Sequence, residues 1–189
     1  MKLSPSVKGF LIAVIALALS FGIYFAFLQK KNNYLVDNPT AHSYFFRINN
    51  GPELILAAGQ FVNVDLKKGQ NSVKVYNDQK ELVYDSLFTV KSPRGLVNIA
   101  HEDYYIHDQY YGYNIKKDSL LLTLEKTVID GKPYLGAPKH FNGLYTEDFY
   151  YNVDEKYDAV VKNIQKVESR SKIFRKQDFL NYHKEYYQQ

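Results

Sequence analysis

Residues 61–76 read FVNVDLKKGQNSVKVY. Phe61, Asn63 and Asp65 alternate with Val62, Val64 and Leu66, and further on Val73 and Val75 alternate with Ser72 and Lys74. Side chains two positions apart on an extended backbone share a face, so this is the period of a half-buried strand. It occurs twice, with Lys67-Lys68-Gly69 as the break. The same texture continues upstream. YLVDN (34–38) runs into Pro39, SYFFRI (43–48) into Asn49-Asn50-Gly51-Pro52, and ELILA (53–57) stops short of Gly59. The Asn-Asn-Gly-Pro stretch suits positive φ angles and chain reversal. Downstream, ELVYDSLFTV (81–90) follows Asn77-Asp78. Short strands with turn chemistry at this regular spacing predict a mainly β chain whose residues 33–95 form an antiparallel β-sandwich module.

A resemblance fits this stretch. LILAAGQFVNVDLKKGQNSVKVYND (54–78) resembles the small β-sandwich repeats of PEGA-type domains and related carboxypeptidase-regulatory-like modules. In those a strand ending near a glycine leads to L-x-x-G-x-x-x-V-x-V, here Leu66, Gly69, Val73 and Val75. LVDNPT (35–40) is similar to the first strand of membrane-anchored bacterial envelope proteins. The likeness spans residues 33–90 and departs from the pattern where the Pro-Glu-Gly-Ala stretch is absent, Gly51-Pro52-Glu53 being the nearest approach. It implies a non-catalytic extracytoplasmic module that makes surface contacts, and it brings no catalytic residues.

After KSPRG (91–95), residues 96–189 read as a tyrosine-rich β extension. LVNIA (96–100), SLLLTLEKTVI (119–129) and KPYL (132–135) are strand candidates, with Asp130-Gly131 as a hairpin turn. GAPKHFNG (136–143) is looser, and YTEDFYYNV (145–153) follows it. Tyr157, Val160, Val161 and Ile164 suit a helix or a strand equally. At the end, Ile173, Phe179, Leu180, His183, Tyr186 and Tyr187 fall on one helical arc opposite Gln177, Asn181, Lys184 and Glu185. That pattern predicts a C-terminal amphipathic helix packed on the sheets, for an α+β whole.

The other end is different. After a short tail, residues 1–8, no charge occurs from Gly9 to Gln29. The apolar run Gly9–Leu28, at ~1.5 Å per residue, spans the ~30 Å hydrocarbon core of a bilayer. A cleaved signal peptide is the competing reading, but IYFAFLQKK puts bulky aromatics where a peptidase needs small residues. Residues 9–29 are therefore expected to be a retained single-pass transmembrane anchor, with the lipid bilayer as a partner. Tyr24, Phe25, Phe27, Lys30 and Lys31 suit an interfacial belt. Lys2 and Lys8 nearly balance Lys30 and Lys31 across the span. The short leading tail then favours a bacterial cytoplasmic membrane with the body on the periplasmic side.

Charge and composition narrow the function classes. Removing those four lysines from 24 basic residues leaves 20, against 20 acidic residues, so the body is neutral. It lacks the basic footprint of a nucleic-acid binder. Lys162, Lys166, Arg170, Lys172, Arg175 and Lys176 form one local basic run, either a solvated face or a contact for anionic lipid. The chain has no cysteine, which excludes disulfides and thiol chemistry.

HEDYYIHD (101–108) looks metal-like, but His101 and His107 are six apart among β-formers. On a strand they would stand ~20 Å apart, too far to share one tetrahedral ion, so neither a metal nor another cofactor is expected. No G-x-S-x-G surrounds Ser86 or Ser92 and no phosphate loop is present. Glu147 and Asp148 are adjacent and would point to opposite faces; His42, His140 and His183 are isolated. No catalytic residues are assigned. The tyrosines stand out instead, 18 of them with 12 Phe and no Trp. Tyr104, Tyr105, Tyr110, Tyr111 and Tyr113 crowd one stretch; Phe149, Tyr150, Tyr151 and Tyr157 form a second group, and Tyr182, Tyr186 and Tyr187 a third. An apolar ring with a polar tip suits a half-wet interface, so Tyr104, Tyr105, Tyr110 and Tyr111 are the expected contact residues. Packing inside a core and a glycan platform are the alternatives for these rings. The expected function is a non-catalytic interaction or scaffold subunit of a membrane complex; a tethered hydrolase using Glu102, Asp103 and nearby histidines, or a glycan-binding module, is the alternative.

Overall fold

The computed structural model describes residues 4–25, 32–111, 125–158 and 168–187. The chain divides into two compact units, Met1–Asn32 and Asn33–Gln189. It is mainly β, with an apolar helix near the N-terminus and a second helix at the C-terminal end.

In the first unit α1 (Pro5–Ile23) starts four residues before the expected anchor. Ser4 caps it, its hydroxyl accepting the Val7 N–H at 3.4 Å, and Pro5 sits in the first turn, where a missing N–H costs nothing. Ser20 donates its hydroxyl to the Ala16 carbonyl at 2.8 Å, so the polar group in this apolar run is satisfied within the helix. None of its residues is buried in the protein, and the helix is long and apolar enough to cross a membrane. Phe27, Lys30 and Lys31 of the expected belt lie outside the described residues.

The second unit comprises β1 (Asn33–Asp37), β2 (Tyr44–Ile48), β3 (Leu54–Leu56), β4 (Phe61–Asn63), β5 (Gly69–Tyr76), β6 (Leu82–Val90), β7 (Arg94–Asn98), β8 (Tyr104–Tyr111), β9 (Thr127–Ile129), β10 (Lys132–Tyr134), β11 (Lys139–Phe141), β12 (Tyr145–Thr146), β13 (Glu168–Arg175) and α2 (Lys176–Tyr187). Sheet A has the order β12-β7-β1-β4, sheet B β3-β2-β5-β6 and sheet C β11-β8-β13, while β9 and β10 form a hairpin. The expected turns are used: Asn49 adopts φ 52° after β2, and Asp130 and Gly131 (φ 49° and 75°) make the two-residue reversal of the β9–β10 hairpin.

Three apolar clusters stack the layers. Tyr34, Val36 and Val97 of sheet A meet Phe46, Val73, Val75 and Phe88 of sheet B. On the other face of sheet A, Leu35 and Leu96 meet Tyr104, Ile106 and Ile173 of sheet C. The far face of sheet C, through Tyr105 and Phe174, meets Phe179 of α2 and Ile129 of the hairpin. Sheet A is thus covered on both sides, which is why β1 and β7 read as continuous apolar runs rather than alternating ones. Gly95 in β7 belongs to this packing. A Cβ there would lie 2.3 Å from the Tyr145 hydroxyl, so the absent side chain makes room for that ring.

Several expectations are corrected. The strands are not all antiparallel, because β1 and β7 pair in parallel, Leu35 opposite Leu96. The whole of sheet B intervenes between them in the chain, the long crossover that parallel neighbours need. The segment boundary at 95–96 falls inside β7, whose hydrogen bonds tie it to β1 within one compact unit. FVNVDL and SVKVY lie in different sheets, the chain passing from A to B between β4 and β5. The loose stretch 136–143 contains β11, and of 145–153 only Tyr145–Thr146 is strand. Ile173 belongs to β13, opposite Ile106, and not to the helix. Val160, Val161 and Ile164 lie outside the described residues, as do residues 112–124 with all of SLLLTL.

Candidate functional site

HEDYYIHD is not one strand. Its first three residues precede β8, and His101 is exposed with φ 53°, its ring 5.0 Å from that of Tyr84. His107 is buried in β8 against Phe179 and Tyr182 of α2. Burial, and then the neighbouring His183, pull its imidazole down to about 4. Asp103 pairs with His140 at 2.6 Å. Among the described residues no group of three or more His, Asp or Glu is arranged to hold a metal ion. Glu147, beside Asp148, is engaged with backbone. The Glu147 carboxylate accepts the Lys91 and Ser92 N–H groups at 3.0 and 2.9 Å, clasping the turn between β6 and β7. Burial opposes its ionisation, but these bonds win and its pKa falls.

The packing moves three of the four expected contact tyrosines inside. Tyr104 lies between sheets A and C, Tyr105 stacks on Phe179, and Tyr111 is buried at the end of β8. Alternation along β8 sends Tyr104 and Tyr105 to opposite faces, but both faces of sheet C are covered, so both rings are internal. Tyr110 alone of the four is partly exposed. In the second group, Tyr150 and Tyr151 pack edge to face, with Arg170 over Tyr150. The side chains of Tyr186 and Tyr187 are outside the described set, as is Tyr113.

The described members of the basic run have partners within the chain. Arg170 pairs with Asp158 at 2.5 Å, and Lys176 pairs with Asp130 at 2.8 Å. Lys172 is buried, its ammonium donating to the carbonyls of Asn152 (2.7 Å), Val153 (3.2 Å) and Glu155. Burial lowers its pKa to about 8 despite Asp154 and Glu155 nearby. Arg94 grips Glu155 through both carboxylate oxygens, at 3.0 and 3.3 Å, and fixes the same loop from sheet A. Lys162 and Lys166 lie outside the described residues.

Two features were not anticipated from the sequence. The first is a polar pocket of about 290 Å³ at the start of α2, lined by Pro39, Glu102, Asp103, Arg175, Lys176, Gln177 and Asp178. Beneath it the fully buried carboxylate of Asp37 accepts Arg175 Nε and Nη2 at 2.9 and 2.5 Å and the Tyr104 hydroxyl at 2.6 Å. Burial, reinforced by Asp37, raises the Tyr104 phenol's pKa, so it remains a donor. The charges lining the pocket are mostly matched pairwise: Arg175 by Asp37, Lys176 by Asp130, Asp103 by His140. The available hint was Asp37 itself, an acid ending the apolar run YLV; its partner lies 138 residues away.

The second feature is the outward face of sheet B. Register places Ile55 opposite Phe45, Phe45 opposite Tyr76 and Tyr76 opposite Leu82, one row across all four strands. Ile55 is 62% and Leu82 56% exposed. Lys80, held by Glu53, places its ammonium 4.7 Å over the Phe45 ring, and the Lys74–Asp85 pair borders the row. The signal was present in SYFFRI and ELVYDSLFTV, where apolar residues occupy both parities of a strand that has one core face. Comparison of the chain with protein-family models, with curated proteins and with solved structures finds no match.

Proposed function

We propose that this chain is a single-pass protein of a bacterial cytoplasmic membrane whose periplasmic body is a non-catalytic interaction module, a scaffold or accessory subunit of a membrane complex. In this reading α1 is the retained anchor and sheets A and B form a β-sandwich that presents a binding face. The observation that carries it is the aligned apolar row Ile55–Phe45–Tyr76–Leu82 on the outward face of sheet B. Isolated exposed apolar side chains are ordinary, but a contiguous row bordered by charge is the composition of an interface centre. The PEGA-type resemblance of residues 33–90 points the same way. The contact set therefore shifts from the tyrosines of β8 to sheet B, with Tyr110 as the remaining β8 candidate.

The test is co-isolation. Full-length protein extracted gently from its own membranes is expected to bring a partner polypeptide with it. The pair Ile55→Asp and Leu82→Asp should remove that partner while leaving the melting temperature nearly unchanged, since exposed substitutions usually shift stability by no more than about 0.5 kcal/mol. Undiminished co-isolation by the double variant would rule out this face. The pocket beside Glu102, Asp103 and Asp178 supports a second reading, a hydrolase of envelope polymer. That reading predicts turnover of a polymer substrate that Glu102→Gln abolishes.

A further inference from the structure

We propose that the chain also pairs with a second copy of itself, edge to edge along β6, joining two copies of sheet B into one continuous antiparallel sheet. This site is the strand edge rather than the apolar row, and the inference goes beyond the reading above. β6 spans nine residues and ends sheet B. Its partner on one side is β5; on the other side no backbone hydrogen bond is made among the described residues. A row of unpaired N–H and C=O groups along an extended strand is a template for another strand.

The other sheet ends contrast with it. β3, β4 and β11 have three residues each and β12 has two, so they offer little to pair with; β13 has eight, but on its free side Tyr150 and Tyr151 already hydrogen-bond to Ser171 and Ile173. Proteins commonly guard a long edge with proline, lysine or a bulge. β6 contains neither proline nor lysine. Its irregularity falls between the pairs Val75–Tyr84 and Tyr76–Leu82, near the start of the strand, leaving Tyr84–Val90 in regular register. Its one charged side chain, Asp85, is already matched by Lys74 at 3.0 Å.

The sequence of the edge selects a like partner. With antiparallel pairing centred on Leu87, Tyr84 faces Val90, Asp85 faces Thr89, and Ser86 faces Phe88. Asp85 then meets a hydroxyl donor and never its own copy, so no like charges oppose. Leu87, 63% exposed on the outward face, is covered by the Leu87 of the second copy. The contact is isologous, with the same residues supplied by both chains about a two-fold axis, and it closes after two copies. Copies held in one bilayer meet at raised effective concentration, which favours a contact of this modest size.

The absence of native cysteine makes the test direct. Leu87→Cys is introduced in the full-length chain in membranes and treated with a short bis-maleimide. Val128→Cys, a similarly exposed position in β9, serves as control. Leu87→Cys is expected to give a covalent species of twice the chain mass, which the control does not. Leu87→Lys places lysines opposite each other and should raise the dimer dissociation constant of the detergent-solubilised chain roughly tenfold, with an unchanged melting curve. Cross-linking no better than the control, or a solution mass indifferent to Leu87→Lys, overturns the proposal. Capture of a different polypeptide by Leu87→Cys also overturns self-pairing, while leaving the interaction reading intact.

Discussion

At the scale of the residue, the polar groups inside the body decide its response to pH and to substitution. His107 titrates near 4 when folded against about 6.5 when unfolded. Between those values the unfolded chain binds the extra proton, so stability falls as pH drops from 6.5 toward 4 and is unaffected by this group above that window. The loss is on the order of 3 kcal/mol. Thermal melts from pH 7 to 4.5 should show it, and His107→Gln should flatten the slope; an equal slope in the variant would refute the assignment. Arg175→Met leaves the buried Asp37 carboxylate with only the Tyr104 hydroxyl, and chemical denaturation should register a loss of roughly 3–5 kcal/mol. A loss below ~1 kcal/mol would mean that the pair is not formed. None of these pairings was legible in the sequence. HEDYYIHD displayed its ionisable groups but not their destinations, because His107 meets α2 and Asp103 meets His140 only after distant strands assemble.

At the scale of the element, turns and the strands up to β7 were readable, whereas β13 was not. Alternation located β4 and β5, turn chemistry bracketed β2 and β6, and Asp130-Gly131 located a hairpin, because each depends on local chemistry. β13 escaped because it is covered on both faces: Ile173 turns to sheet A and Phe174 to α2, so adjacent apolar residues imitate a helical arc. The parallel partnership of β1 and β7 escaped for a similar reason, since register between strands so far apart leaves no periodic trace. The C-terminal helix was legible as an amphipathic arc, and Phe179, with no exposed surface, is its anchor among Tyr105, Tyr134 and Phe174. Phe179→Ala should cost about 3–5 kcal/mol and raise amide exchange across α2 first. Protection in α2 equal to that of the parent chain would show that the helix is held by other contacts.

At the scale of the whole molecule, composition separates an apolar helix, long enough to cross a membrane, from a neutral body. None of the residues of α1 is buried in the protein, and its 19 apolar-rich residues match the thickness of a bilayer core at ~1.5 Å each. The body buries the Arg175–Asp37 pair, keeps most of its other ion pairs at the surface, and among the described residues leaves an apolar row and an unpaired strand edge on sheet B. That distribution is the basis for proposing a tethered module that works by contact. The most direct measurement is intact-mass analysis of the protein recovered after alkaline washing of its native membranes. The account predicts that the chain stays in the membrane pellet with a mass that includes residues 5–25. Recovery in the wash of a chain shortened by about thirty residues, as cleavage of a signal peptide would leave it, would contradict the account.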